Sequence, residues 1–286
     1  MKKEILILCQ YFYPEYVTSA LLPSQLADEL SKEQNLNVDV ICGYPNEYYT
    51  RGKVKKKEKR NNVRVRRLRY FQFNNKASLR RTITFFSFFL SVLLNIFSLR
   101  KHDLSIVYSN PPIISLVAYW ANRLFGTKII FVCFDLYPDN ALVLNKIKKN
   151  GLIHKFMDYV NKRVYTHANK IVALSWDMKD YIISKKMKLS EEKIIVIPNW
   201  YTGEINKNNL IISEEFSKLD KEWPFIVLYS GNMGEAQELN TILDGIRAIN
   251  KSNYKDILFI VAGHGRKKEE IKYEFQNNNI KYVRFY

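Results

Sequence analysis

The sequence predicts an α/β protein of two doubly wound parallel-sheet units, the second incomplete. Three observations carry that reading. Short continuous apolar runs, suited to strands buried on both faces, alternate with segments of helical period. The alternation pauses over the polar, weakly periodic stretch 201–224 and then restarts. The charge breaks at the same place: residues 1–200 carry 33 basic and 16 acidic groups, residues 201–286 carry 12 of each. The expected organisation is a domain over 1–200, a linker over 201–224 and a partial domain over 225–286.

The elements follow in order. Ile5–Cys9 is the first strand; the apolar run is too short for a signal peptide, and Gln10 interrupts it. A loop with Pro14 leads to a helix over Ser19–Ser31. Val38–Cys42 is the second strand, closed by Gly43 and Pro45. Val63–Tyr70 alternates like a strand with one polar face. Ile83–Leu99 runs 17 residues without a charge. Leu104–Tyr108 is a strand ending in Ser109-Asn110-Pro111-Pro112, and Ile113–Phe125 is a helix with Gly126 as its C-cap. Ile129–Phe134 is a strand ending in Asp135-Leu136-Tyr137-Pro138-Asp139. Gly151–Ala168 is a helix, Ile171–Leu174 a strand, Ser175 an N-cap for Trp176–Lys186, and Ile194–Ile197 a strand stopped by Pro198-Asn199. After the linker come strand Phe225–Tyr229, helix Leu239–Ile249, strand Ile257–Val261, helix Lys268–Phe275 and a strand beginning at Tyr282. Three strands and two helices make half of a nucleotide-binding unit.

Composition narrows the class. With 47% hydrophobic and 26% charged residues the chain is globular, not disordered. Aromatics at 14% and only 10 Gly exclude fibrous sequences. The net charge of +17 asks for an anionic neighbour: a phospholipid surface, a phosphorylated substrate or nucleic acid. No helix-turn-helix, zinc or RNP-type motif favours nucleic acid. Cys9, Cys42 and Cys133 lie in predicted strands, without disulfide or metal spacing, as reduced thiols of a cytosolic protein. The four His are scattered, so no metal site is expected.

Four motifs stand at the ends of predicted elements, each with a plain alternative. Gly231-Asn232-Met233-Gly234 follows a strand, where glycines let a backbone approach a phosphate and the helix from Glu238 points free N–H groups; an ordinary tight turn reads the same way. Gly263-His264-Gly265-Arg266-Lys267 repeats the pattern one strand later, as a diphosphate site or a surface turn. Asp135 and Asp139 accept protons or sugar hydroxyls, or cap the next helix. The basic stretch Arg51–Arg69 and the run Ile83–Leu99, flanked by Arg80-Arg81 and Arg100-Lys101, form an interfacial helix with an outward Phe-rich face (Phe85, Phe86, Phe88, Phe89), or a buried helix. Thr84, Ser87, Ser91, Asn95 and Ser98 form one polar stripe along it, which argues against a lipid-surrounded span.

In this order the motifs resemble a bacterial glycosyltransferase of family 4, of GT-B fold and capsular or O-antigen polysaccharide type. The matching stretches are Gln10-Tyr11-Phe12-Tyr13-Pro14-Glu15, Cys42-Gly43-Tyr44-Pro45, Tyr108–Pro112, Asp135–Asp139, Ile197-Pro198-Asn199-Trp200, Gly231–Gly234 and Ala262–Gly265. The resemblance implies two Rossmann-like domains facing a cleft, the first for a polyprenyl-diphosphate glycan acceptor at the inner face of the cytoplasmic membrane and the second for a nucleotide sugar. It implies transfer with retained anomeric configuration and no metal or other cofactor. Donor contacts fall on Gly231, Asn232, Gly234, Gln237, Gly263, Gly265 and Arg266. Asp135 falls nearest the chemistry, with Ser109, Asn110, Asp139 and Asn199 around the acceptor. Asn232 and Gln237 stand where many members carry Arg and Lys. The family's Glu-x₇-Glu segment would lie beyond Tyr286, so the chain is expected to be truncated in its donor domain. The alternative function is a non-catalytic, membrane-docking subunit completed by a second chain.

Overall fold

The structure is a computed structural model that describes residues 2–45, 53–73, 78–185, 189–201, 214–234, 237–252, 256–277 and 283–285. The chain divides into two compact units, Met1–Gly203 and Glu204–Tyr286.

The first unit is built on eight strands: β1 (Lys3–Leu8), β2 (Leu36–Gly43), β3 (Lys57–Arg60), β4 (Val63–Leu68), β5 (Leu104–Tyr108), β6 (Lys128–Cys133), β7 (Lys170–Ala173) and β8 (Ile194–Val196). Their order in the sheet is β3-β4-β2-β1-β5-β6-β7-β8. Every pairing is parallel except β3 with β4. Strand order reverses at β1, which pairs with β2 on one side (Ile5 opposite Val38) and with β5 on the other (Ile5 opposite Leu104). That reversal is the switch point beside which open α/β sheets bind ligands. β1 is buried on both faces, with Leu6, Ile7 and Leu8 all at 0% exposure, hence its unbroken apolar run.

Among the described residues the helices that accompany the sheet are α1 (Thr18–Leu30), α2 (Ser78–Leu93), α3 (Ser115–Phe125), α4 (Asp139–Val143), α5 (Leu152–His167) and α6 (Trp176–Ser184). Phe88 and Val92 of α2, Val117 and Ala121 of α3, and Val160 and Val164 of α5 share one core layer with Leu6, Leu8 and Phe131. Ala27 of α1 packs with Ile5, Ile7, Val38 and Val40 in another. α3 ends at Gly126 in the left-handed conformation, φ 75°. α6 starts at Ser175, whose hydroxyl accepts the Met178 N–H at 3.1 Å. The three thiols are free and buried, and burial pushes Cys42 up to about 12 and Cys133 to about 11, so both stay protonated.

The run Ile83–Leu99 departs from expectation. The helix stops at Leu93 and a 3₁₀ turn, Ile96–Lys101, follows. Phe88 and Phe89 are corrected from surface to core, at 0% and 6% exposure, while Phe86 is 52% exposed. The polar stripe explains the rotation. Ser87 Oγ accepts the Phe71 N–H at 3.0 Å, Ser91 Oγ donates to the Arg69 carbonyl, and Asn95 takes a guanidinium hydrogen bond from Arg66. The stripe therefore turns towards the chain that follows β4. The outward face consists of Ile83, Phe86 and Leu90, continued by Leu94 and Phe97. Among the described residues no helix is long and apolar enough to cross a membrane. The side chain of Arg81 and residues 51–52 lie outside the described residues.

The second unit holds β9 (Phe225–Ser230), β10 (Ile257–Ala262) and β11 (Val283–Phe285), parallel in the order β11-β10-β9. Its helices are α7 (Glu214–Glu222), α8 (Leu239–Lys251) and α9 (Lys268–Asn277). α7 lies within the stretch expected to be a linker, and its Leu219 is buried with Leu258 and Ile260; residues 202–213 lie outside the description. Leu239, Leu243 and Ile246 of α8 pack with Ile271 and Phe275 of α9 and Val261 of β10.

Candidate functional site

In the first unit, the tips of β1, β5 and β6 stand side by side. Each leads into a cis X–Pro bond: Tyr13-Pro14, Asn110-Pro111 and Tyr137-Pro138. Asp135 is half-buried. Its backbone N–H donates to Ser109 Oγ at 2.8 Å, and Asn140 Nδ2 donates to its Oδ1 at 3.2 Å. Ser109, at 4% exposure, therefore ties β5 to β6 and sets the turn that presents the Asp135 carboxylate. Asn110 stands beside them with a buried Oδ1 that has no hydrogen-bond partner among the described residues. Asp139 begins α4 and accepts Lys185 Nζ at 2.7 Å. This neutralises its charge and places it in an ion pair rather than open to a ligand. Asn199 is exposed beyond β8, and the next residue, Trp200, donates its ring N–H to Gln25 Oε1 of α1 at 2.7 Å.

Sequence reasoning missed the polar group under the β1, β2 and β4 tips. Gln10 is 1% exposed, its amide beside the Tyr70 hydroxyl; burial pushes that phenol up to about 12. Arg67 is also 1% exposed. It donates to the carbonyls of Lys55 at 3.0 Å and Tyr13 at 2.8 Å and pairs with Glu58 at 2.7 Å. One buried guanidinium thus pins the loop after β1 to the sheet edge. The signal was available: Arg67 falls at an inward position of an alternating strand, where a charge needs internal partners. Other arginines of the basic stretch are also engaged, Arg60 with Asp28 and Arg64 with Asp39 and Glu4, whereas Lys53, Lys55, Lys56, Lys57 and Lys59 are exposed. Arginine's fixed fork suits it to these internal pairs.

In the second unit the two glycine corners meet. Gly231 N–H donates to the Ala262 carbonyl at 3.0 Å and Met233 N–H to the His264 carbonyl at 2.8 Å. Gly263 (φ 146°) and Gly265 (φ 157°) are demanded by this crossing, because a Cβ would stand 1.9 Å from the Gly231 oxygen or 2.1 Å from the Met233 oxygen. The expectation of free corner amides needs correction here. Gly231 and Met233 amides are spent zipping the loops, and Gly234 N–H donates to Gln237 Oε1 at 3.0 Å. Asn232 Nδ2 donates to the same oxygen at 3.3 Å. Gln237 is a cap for the turn, since its one acceptor oxygen faces two donors. Gly231, Asn232, Gly265 and Arg266 are exposed, and α8 begins at Glu238 without a side-chain cap. Glu235 and Ala236 lie outside the described residues. Among the described residues no group of three His, Cys, Asp or Glu could hold a metal ion.

With this geometry in hand, comparison with known proteins decides the family. Residues 24–202 match Glycosyltransferase Family 4. The chain belongs to that family. A probable glycosyltransferase of Pseudomonas aeruginosa, WbjE, is 20% identical over 183 residues, which are 60% of this chain and 42% of WbjE. The chain thus spans less than half the length of that curated relative. Among solved structures, Anabaena Alr3699/HepE in complex with UDP superimposes with a TM-score of 0.60 at 14% identity, over 100% of this chain and 68% of that one. The catalytic domain of Starch Synthase IV from Arabidopsis thaliana, bound to ADP and acarbose, gives 0.63 at 12% identity, over 100% and 74%. These likenesses show the fold: α/β, with Rossmann-like units as in GT-B glycosyltransferases.

Proposed function

We propose that the chain is a retaining glycosyltransferase that moves a sugar from a nucleotide-sugar donor to a polyprenyl-diphosphate glycan acceptor in surface polysaccharide synthesis. The observation that carries this reading is Asp135, held by Ser109 at the switch-point rim of a family 4 chain. In the reaction the bond from the anomeric carbon to the diphosphate breaks, and a bond from that carbon to the acceptor oxygen forms. For the configuration to be retained, the acceptor oxygen enters on the face that the diphosphate leaves; the Asp135 carboxylate is the group we assign to orient that hydroxyl and take its proton. Negative charge gathers on the nucleoside diphosphate. Arg266 and Lys267 are the donors assigned to it, with no metal required. Asn110 Oδ1, buried and without a partner among the described residues, is assigned to an acceptor hydroxyl.

The chain acts at the inner face of the cytoplasmic membrane, where a lipid-linked acceptor resides. The outward stripe Ile83, Phe86, Leu90, Leu94 and Phe97 supports this, as do the exposed Arg80 and the lysines at 53, 55, 56, 57 and 59. Each cation near an anionic surface contributes about 1 kcal/mol. Wild-type chain should float with anionic vesicles, and Phe86→Ser with Leu90→Ser should stay in solution.

A second reading has its own observation. Among the described residues β9 is an edge strand, with Phe225 62% and Leu228 56% exposed, an edge suited to a further parallel strand. The chain would then be a membrane-docking subunit completed by a partner. Incubating purified chain with labelled nucleotide sugar and lipid-linked acceptor separates the two: product formed without a partner excludes the subunit, and product formed only after a second chain is added excludes the autonomous enzyme.

A further inference from the structure

The first unit carries a pocket of about 450 Å³ at the end of the sheet opposite the strand tips. It opens where β1, β2, β5 and β6 begin, between the end of the 3₁₀ turn and the end of α3. Lys3, Arg100, Lys101 and Lys128 line it. Lys101 is paired with Asp39 at 2.6 Å. Lys3, Arg100 and Lys128 are exposed and make no ion pair with any described residue. The one lining carboxylate, Asp103, accepts the Glu4 N–H at 2.9 Å and is held against the strand edge.

A second, independent observation lies within the same wall. Thr127 is 1% exposed, lines the pocket, and its buried Oγ1 has no hydrogen-bond partner among the described residues. An orphaned hydroxyl costs stability unless something accepts from it. Three cations and a hydroxyl donor that have no partner among the described residues match an oxyanion with several acceptor oxygens, and Arg100 offers the fork that phosphate oxygens take in pairs. Ile5, Leu104 and Phe125 complete the wall with apolar surface, so the ligand has an uncharged part as well. Phe125 touches the exposed ring of Phe97, with centroids 5.9 Å apart.

We propose that this pocket binds the phosphate group of a phosphate ester, and that it is a site separate from sugar transfer. The shared chemistry is a phosphate carried on an apolar or neutral body, whether a soluble ester or an anionic phospholipid headgroup. The proposal does not rest on the transferase reading, because none of its residues belongs to the strand-tip rim.

The test measures binding of glycerol 3-phosphate by titration calorimetry, and of phosphatidylglycerol vesicles against phosphatidylcholine vesicles by sedimentation. Four proteins are compared: wild type, Arg100→Gln/Lys128→Gln, Thr127→Val, and the charge-matched control Lys148→Gln/Lys149→Gln. The pocket pair should weaken binding about fivefold per charge removed. Thr127→Val should weaken it about fivefold while leaving the fold at least as stable. The control should bind as wild type does. Binding of the soluble ester, lost in the pocket variants, supports the site with a free ligand as its source. Binding confined to phosphatidylglycerol vesicles, with the same losses, supports it with a headgroup as its source. Absence of both, or losses equal in the control pair, overturns the proposal.

Discussion

At the scale of single residues, the groups that matter have fixed partners. Asp135 has its amide anchored by Ser109, so Asp135→Asn keeps the turn and removes only the proton acceptor. Turnover should fall about 100-fold or more, with the melting temperature unchanged; steady-state kinetics beside a thermal melt checks both. Gly263 and Gly265 behave differently. A methyl group at either would collide with backbone oxygen at 1.9 or 2.1 Å, which no rotamer change relieves. Gly263→Ala should lower the stability of the second unit by more than about 2 kcal/mol, read from a urea transition. Asp39 governs acid stability. Burial alone would raise its pKa, but hydrogen bonds from His102, Lys101 and Arg64 hold the carboxyl far below the usual range. Its contribution is therefore present above the unfolded-state value, about 3.9, and is lost as pH falls through the window beneath it. Asp39→Asn should flatten the decline of stability below pH 4 in acid-unfolding curves.

At the scale of elements, α2 shows what a hydrophobic pattern specifies and what it leaves open. The charge-free run marks a helix, but its polar stripe has two opposite readings: a water-facing side, or a side bonding to nearby backbone. Ser87 and Ser91 take the second, and Asn95 accepts the Arg66 guanidinium beside them, which rotates Phe88 and Phe89 into the core. Phe88→Ala should accordingly destabilise the first unit by about 3–5 kcal/mol, measured by chemical denaturation; a loss under 1 kcal/mol would return Phe88 to the surface. β3 was illegible for a related reason. Lys57–Arg60 is all charge, with no apolar period to signal a strand. It forms because an antiparallel edge needs no buried face, and its lysines protect that edge from further pairing. Where caps or burial on both faces carry the signal, the reading was close: β5 spans Leu104–Tyr108 as expected, and Gly126 and Ser175 punctuate α3 and α6.

At the scale of the whole molecule, the charge break separates a basic stretch of chain from a neutral one, but does not tell which cations are available. Arg60, Arg64, Arg66 and Arg67 are engaged with groups of the chain itself, Arg67 fully buried, while the lysines at 53, 55, 56, 57 and 59 face outward. A count of charges cannot separate the two roles, since that depends on which carboxylate or carbonyl folding brings near. The same limit applied to the site. The glycine corners were legible because their spacing follows strand ends; that Gln237 would occupy the Gly234 amide was not, because it depends on a side-chain rotamer. The central claim is that this rim transfers sugar with Asp135 at the reacting oxygen. The most direct measurement is proton NMR of the product formed from labelled nucleotide sugar and polyprenyl-diphosphate acceptor by wild type and Asp135→Asn. The account predicts a product with the donor's anomeric configuration, made far more slowly by the variant. An inverted product, or equal rates for the two proteins, would contradict it.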